Sequence, residues 1–259
     1  MKFKANRETD HLENTTLFSR YLTTQKLLHL LLYRQIPFTR LDKFDDLLEG
    51  MTYKNLAELN INIDSANADN LLIDDLDASL RRAESKILSI ETETISTQKG
   101  QYVSCWFCEE RESMAMWDLY ATRDGTIITI EAKKLFDFIK EHVSKLDDND
   151  YIEFLYGFCE YRKLMPFDYN ESKSEHTFNA FKKDLCYKHE NEFRFIGIRN
   201  PSKKDERLYS YNVNIESIIN DFQIIFHPKM ENWKKENIKK LIEKLGLSIK
   251  VHDSNIRTK

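Results

Sequence analysis

Apolar residues recur along this chain in two rhythms, and the switches between them mark out its elements. Leu17-Phe18-Ser19-Arg20-Tyr21 reads as a short strand. Thr23 or Thr24 is placed to cap a helix that carries Leu27, Leu28, Leu31 and Leu32. Pro37 cannot continue that helix and biases Ile36 toward extended backbone, so Ile36 to Thr39 reads as a second strand. Leu41 to Asp46 then reads as a turn and loop. Tyr102 to Cys108 and the β-branched run Thr126 to Ile130, introduced by Gly125, are further strands. Between them Met114, Met116, Trp117 and Tyr120 fall on a short helix from Glu112 to Ala121. Leu135, Phe136, Ile139 and Val143 mark an amphipathic helix, and Tyr151 to Tyr161 is aromatic and strand-like. Phe178, Phe181 and Leu185 have helical spacing.

The C-terminal end has the cleanest pattern. Phe222 to Phe226 is a strand, and Ile238, Leu241, Ile242 and Leu245 define a helix stopped by Gly246. Leu247, Ile249 and Val251 alternate as a last strand, completing a β-α-β unit. Residues 50–98 differ from all this. They are polar and acidic, with a helix around Leu71 to Leu88, and read as a peripheral helical insertion. The pattern predicts an α+β (mixed α/β) fold, one core domain over residues 1–259 in which helices flank a mixed β-sheet.

One stretch stands apart: Lys188-His189-Glu190-Asn191-Glu192-Phe193-Arg194-Phe195-Ile196, a Glu-x-Glu-x-Arg array running into apolar residues. If all of it is strand, Glu190, Glu192 and Arg194 share one face while Phe193 and Phe195 pack on the other. Two carboxylates on one face, roughly 7 Å apart, repel each other unless cations or a ligand lie between them. A solvated face neutralised by Arg194 would also fit, and would add little stability.

Composition narrows the classes. A chain of 259 residues with 41% hydrophobic and 32% charged residues has the balance of an ordinary globular protein. A net charge of −4 gives no basic footprint, so global electrostatics do not favour nucleic-acid binding. With 6 Gly and 4 Pro, a glycine-rich phosphate loop is not expected. Met1 to Arg7 lacks the apolar core of a leader, and no run approaches membrane-spanning length, so a cytoplasmic protein with no membrane contact is expected. Its four cysteines, Cys105, Cys108, Cys159 and Cys186, are then expected reduced. Cys105 and Cys108 form a single C-x-x-C inside an apolar run. Without a second such pair they read as buried thiols rather than zinc ligands.

Several blocks together resemble the bacterial domain-of-unknown-function family 2971. Ser104-Cys105-Trp106-Phe107 through Met116-Trp117-Asp118-Leu119-Tyr120-Ala121, followed by Gly125, resembles its "SCFSe…MWxHYAxxxxG" block. Lys188 to Ile196 resembles "K…W.yE.EyR", and Ile215 to Met230 resembles the "i..vi.G" segment. Phe18-Ser19-Arg20-Tyr21 and Phe44 to Glu49 match "lyKY" and "fNDpfE". Leu119 replaces a frequent His, which removes an acid or base, and Asp45-Asp46-Leu47 replaces Asn-Asp-Pro. Relatives include abortive phage-resistance factors, so the resemblance implies a role in antiphage defence without supplying a reaction.

A more distant resemblance supplies one. ADP-ribosyltransferases of the Arg-Ser-Glu class place an Arg, a Ser-rich strand and Glu-x-Glu in the order of Arg20, Ser104 and Glu190-x-Glu192. The resemblance implies NAD as substrate and no metal. Glu192 would stabilise an oxocarbenium-like state and Glu190 would serve the acceptor. Arg20, with Tyr21 beside it, would bind phosphate and Ser104 the ribose. Trp117 or Tyr120 would stack on nicotinamide, and Arg194 would complete the site. Each has a plainer alternative: Trp117 as core, Arg20 paired to Asp45 and Glu49, Ser104 bonded to backbone. The acceptor would be a protein or nucleic acid, and a regulatory partner protein is compatible. Two other readings stand beside this one. The first is a non-enzymatic sensor or interaction module of a defence or toxin–antitoxin system. The second is a metal-dependent nuclease using Asp45, Asp46, Glu49, Glu190 and Glu192.

Overall fold

The computed structural model describes residues 2–6, 12, 17–46, 48–51, 55, 73–146, 150–162, 179–200 and 210–257. Phe178 and most of the first half of the insertion at 50–98 lie outside these residues. The fold class is α+β, as the pattern predicts. Its strands are β1 (Lys2–Ala5), β2 (Leu17–Leu22), β3 (Gln35–Arg40), β4 (Gln101–Phe107), β5 (Thr126–Glu131), β6 (Tyr151–Phe158), β7 (Glu160–Arg162), β8 (Lys182–Asp184), β9 (Glu192–Arg199), β10 (Ser210–Asn214), β11 (Gln223–Phe226) and β12 (Lys250–Asp253). The longer helices are α1 (Thr24–Tyr33), α2 (Ile73–Gln98), α3 (Ala132–Ser144) and α4 (Asn232–Lys244).

Among the described residues, ten strands form one mixed sheet in the order β1-β6-β9-β4-β2-β5-β11-β12, with β3 beside β4 and β10 beside β3. β1 runs parallel to β6 and β11 parallel to β12, while the other pairs are antiparallel. The expected C-terminal β-α-β unit is therefore present, and Gly246 ends its helix at φ +67°. One sheet face carries an aromatic core of Phe18, Trp106, Phe154, Phe193, Phe195 and Phe222. Leu27, Leu30 and Leu31 of α1, Leu135, Ile139 and Val143 of α3, and Ile238 and Ile242 of α4 pack against it. Thr23 caps α1 through its hydroxyl, which accepts from Lys26 N. Leu32, expected inside, is exposed instead.

Two departures matter for function. Glu190 is not on the strand: it ends a 3-10 turn, Leu185–Glu190, and Asn191 takes φ +35° before β9 begins. The expected helix around Phe181 and Leu185 is likewise two 3-10 turns separated by β8. The second departure is a gap in the sheet. Phe107 of β4 pairs with Ser19 of β2, whereas Tyr102 and Val103 pair with Arg40 and Thr39 of β3. Among the described residues, Ser104, Cys105 and Trp106 have no register partner on that edge. β2 and β3 diverge there and leave an opening.

Candidate functional site

A cleft of about 390 Å³ lies over this opening. That is the volume of a small-ligand pocket rather than a packing defect. Its wall comes from Ser19, Arg20, Tyr21 and Leu22 of β2 and Lys26 of α1, with Asp45, Asp46 and Glu49 of the loop after β3. Cys105 and Trp106 of β4, Tyr120, Lys183, Tyr187, Glu190 and Glu192 also face it.

At one end sits a buried cluster of acids and bases. Glu192 opens β9 opposite Phe107, and its backbone N–H donates to Tyr161 Oη at 2.8 Å. Arg194, two residues on and on the same face, donates to Glu192 Oε2 from Nε at 2.9 Å and from Nη2 at 2.6 Å. Arg194 Nη1 donates to the Ala180 carbonyl, and Nη2 also meets Glu49 Oε1. Lys183 Nζ lies between Glu190 Oε2, to which it donates, and Glu192 Oε2 at 3.7 Å, and stands 4.7 Å above the Tyr187 ring. Tyr120 donates its phenol proton to Glu190 Oε1. The two acids of the Glu-x-Glu pair thus meet although only one is on the strand. Lys183 is the cation between them.

Burial alone would push the Glu192 carboxyl up, but the charges of Arg194 and Lys183 outweigh it and hold it below the usual carboxylate range. Glu49 goes the other way: burial pushes it up, and Arg194 and Lys183 offset only part of that. Burial opposes charge on Lys183, yet Glu192, Glu49 and Glu190 keep it raised. The thiols of Cys105, Cys108 and Cys159 are pushed up by burial, so they stay protonated and are not activated nucleophiles.

The other end of the cleft is cationic. The half-buried Arg20 guanidinium lies 5.8 Å from the Trp106 ring centroid and makes no hydrogen bond or ion pair with a described residue. Lys26, in the first turn of α1, is exposed, and burial of its stem and the Arg20 charge both lower its pKa. That turn holds no acidic residue, so the positive end of the helix adds to the field.

The site expected from sequence is therefore only partly assembled. Glu190, Glu192, Tyr120, Tyr21 and Arg20 line the cleft; Ser104, Trp117 and Arg194 do not. Ser104 is opposite Phe195 on the core face, where its Oγ accepts from Trp106 Nε1 at 3.1 Å. Ser19 is the serine that faces the cleft. Trp117 is fully buried, donating to Glu112 Oε2 at 3.0 Å and packed against Tyr21 and His227. Arg194 is fully buried and acts on Glu192 rather than on a ligand. Strand alternation puts Arg20 on the Trp106 face, opposite Glu192, and only the gap between β2 and β3 lets both reach one cleft. Tyr21 is mostly core, its hydroxyl accepting from Ser113 N at 2.8 Å and its pKa pushed up to about 12, chiefly by burial.

Sequence reasoning missed Lys26 and Lys183, and placed Glu49 in a metal-binding set or, with Asp45, as a partner for Arg20, whereas its ion pair is with Arg194. Glu49 ends the Phe44 to Glu49 block, which was the one available signal. Among the described residues no group of three or more His, Cys, Asp or Glu is arranged to hold a metal. No helix there is long and apolar enough to cross a membrane.

Residues 116–195 match the family model described as protein of unknown function (DUF2971). Over this segment the chain is similar to that family. The match opens just before Tyr120 and closes just after Arg194, so it encloses Tyr120, Lys183, Glu190 and Glu192, while Arg20 and Glu49 lie before it. The DUF2971 segment also includes Gly125, where an added Cβ would come 2.0 Å from the Ala121 carbonyl oxygen. That contact explains the glycine of the family block, because the turn carrying Tyr120 closes directly onto it. No curated protein and no solved structure matches the chain.

Proposed function

We propose that the cleft binds a nucleotide and that NAD is its substrate, with an ADP-ribosyltransferase or NAD glycohydrolase as the outcome. One observation supports this above the rest: a single cleft carries two cations without ion-pair partners among the described residues at one end and an ionised, half-shielded carboxylate at the other. A dinucleotide needs both, anion-binding groups for its phosphates and a carboxylate for its ribose. Arg20 and Lys26 take the phosphates, with Trp106 beneath the guanidinium. Arg194 and Lys183 approach Glu192 through Oε2, and Oε1 takes no bond from either.

In the reaction the bond from ribose C1′ to the nicotinamide nitrogen breaks, and both its electrons leave with the ring, cancelling the pyridinium charge. The positive charge then spreads over C1′ and the ring oxygen, where Glu192 stabilises it. Water or an acceptor group on a protein or nucleic acid attacks C1′ and gives up a proton, which Glu190 accepts. In a cell this would make the protein an effector of antiphage defence, whose activity a partner protein could restrain.

The test is to incubate the purified chain with NAD, alone and with phage lysate, and to measure nicotinamide release. Release should fall about 100- to 1,000-fold in Glu192→Gln, the loss typical of one preorganised electrostatic group. Glu190→Gln should spare hydrolysis more than transfer. A wild-type chain that releases none under either condition would overturn the enzyme reading and favour a sensor that binds a nucleotide without turnover. The burial of Ser104 away from the cleft already favours that second reading over a complete Arg-Ser-Glu site.

A further inference from the structure

Glu49 has no part in the reaction just described, yet the loop backbone that buries it is held by specific contacts. Asp46 Oδ1 accepts from Leu48 N at 2.9 Å, and Gln98 Nε2, at the end of α2, donates to the Glu49 carbonyl at 2.6 Å. Gly50 follows at φ +80°, pressed against Leu41, where a Cβ would come 2.5 Å from Leu41 Cδ2. The Glu49 residue is 2% exposed. Its Oε1 meets Arg194 Nη2 but takes no hydrogen bond of good geometry.

Its surroundings are fully charged. Arg194 and Glu192 face it from β9, Lys183 from β8 and Cys105 from β4, with Glu190 beyond Lys183 and Asp46 in its own loop. Among these groups three carboxylates (Glu49, Glu190 and Glu192) stand in direct ion-pair contact with two cations, Lys183 and Arg194, while Arg20 acts on Glu192 only through its field across the cleft. With these five groups ionised, the contacts leave one negative charge without a partner cation of its own, and the burial of Glu49 penalises that. One proton removes it. Glu192 has two Arg194 nitrogens and Lys183; Glu190 has Lys183 and Tyr120; Glu49 has one shared nitrogen. The proton is cheapest on Glu49. Burial of its carboxyl acts in the same direction.

We infer that Glu49 is a positioning residue: it carries the proton of this cluster and so leaves the Arg194 fork committed to Glu192. An ionised Glu49 would compete for Nη2, loosen the Glu192 carboxylate and weaken it as the stabiliser of the ribose cation. The role in turnover rests on the proposed function of Glu192, but the proton itself does not.

Carbon-13 NMR of side-chain carboxyls in the intact, Glu-labelled chain tests the proton directly. One carboxyl should titrate above the ordinary glutamate range, vanish in Glu49→Gln and move to lower pH in Glu192→Gln. The Glu192 resonance should shift over the same range in the wild type and stay still in Glu49→Gln. A wild-type titration with no carboxyl above the ordinary range needs no variant and would overturn the inference, as would a Glu192 signal indifferent to Glu49. In NAD consumption, activity should fall about tenfold per pH unit above the Glu49 midpoint, as for one essential proton. Glu49→Gln, which keeps a neutral polar group there, should lose that alkaline limb; retaining it would refute the positioning role. An inactive wild type with the expected NMR behaviour would sink the NAD reading alone.

Discussion

At the scale of single residues, the structure makes Glu192 the half-buried partner of a fully buried arginine. On the plainer reading of the pattern, a solvated strand face, Glu→Gln changes stability by roughly half a kcal/mol or less. With Arg194 fully buried and bonded to Glu192 twice, that estimate no longer holds. Breaking a buried pair costs about 3–5 kcal/mol, and the loss should sit near the low end because Arg194 keeps Glu49. The cost also depends on pH. The Glu192 carboxyl is held below its unfolded value of about 4.3, so its contribution is complete above that pH and fades as the pH falls through the folded value. Melting curves of wild type and Glu192→Gln should therefore differ most near neutrality and converge as the pH drops below about 4. A gap that persists in acid would mean that packing, not charge, is what the glutamine disturbs. Activity losses in this variant must accordingly be read below its own melting temperature.

At the scale of elements, periodicity read well where an element buries one face and poorly where polar bonds shape the chain. Helix α4 shows both. Ile238 and Ile242 are buried, while Leu241, which the pattern also placed inside, is only partly covered. Ile238→Ala should cost about 2–5 kcal/mol and Leu241→Ala distinctly less, an order that equilibrium unfolding of the two variants would check. An equal or reversed order would mean that the helix is rotated from its described position. The 3-10 turn ending at Glu190 was illegible for a different reason. Two carboxylates two residues apart look like strand alternation, and only the Asn191 backbone at φ +35° brings Glu190 round to Lys183 and Tyr120. The turn carrying Tyr120 was visible as apolar spacing, but its closure on Gly125 was not. Gly125→Ala would drive a Cβ to 2.0 Å from the Ala121 carbonyl, so the turn must move. It should lose about 1–3 kcal/mol through overpacking, and with it the Tyr120–Glu190 bond. A calorimetric scan indistinguishable from wild type would contradict that contact.

For the whole molecule, the acidic pair and the arginine ahead of it were legible, because they sit in short motifs. The cleft was not, since it depends on where β2 and β3 part from β4. Lys26 and Lys183 come from segments with no local signal, and they come to line one cleft with the acids only once the described strands have formed one sheet. The net charge of −4 concealed the same feature by averaging over it. That separation of charge makes one consequence testable without any turnover. ADP-ribose, which has the phosphates but no nicotinamide to lose, should bind the folded chain and raise its melting temperature. At a concentration 100 times its Kd the stabilisation is about 2.7 kcal/mol, or roughly 5–10 °C for a chain of this size. Arg20→Met should remove most of the shift, because the free guanidinium is the principal anion contact proposed. Lys26→Met should remove less, since its exposed ammonium is better screened, and salt should erase its share first. Glu192→Gln should keep the phosphate contribution and lose only the ribose contact. A shift equal in all four proteins would place the nucleotide elsewhere on the surface and detach the cleft from the function proposed for it.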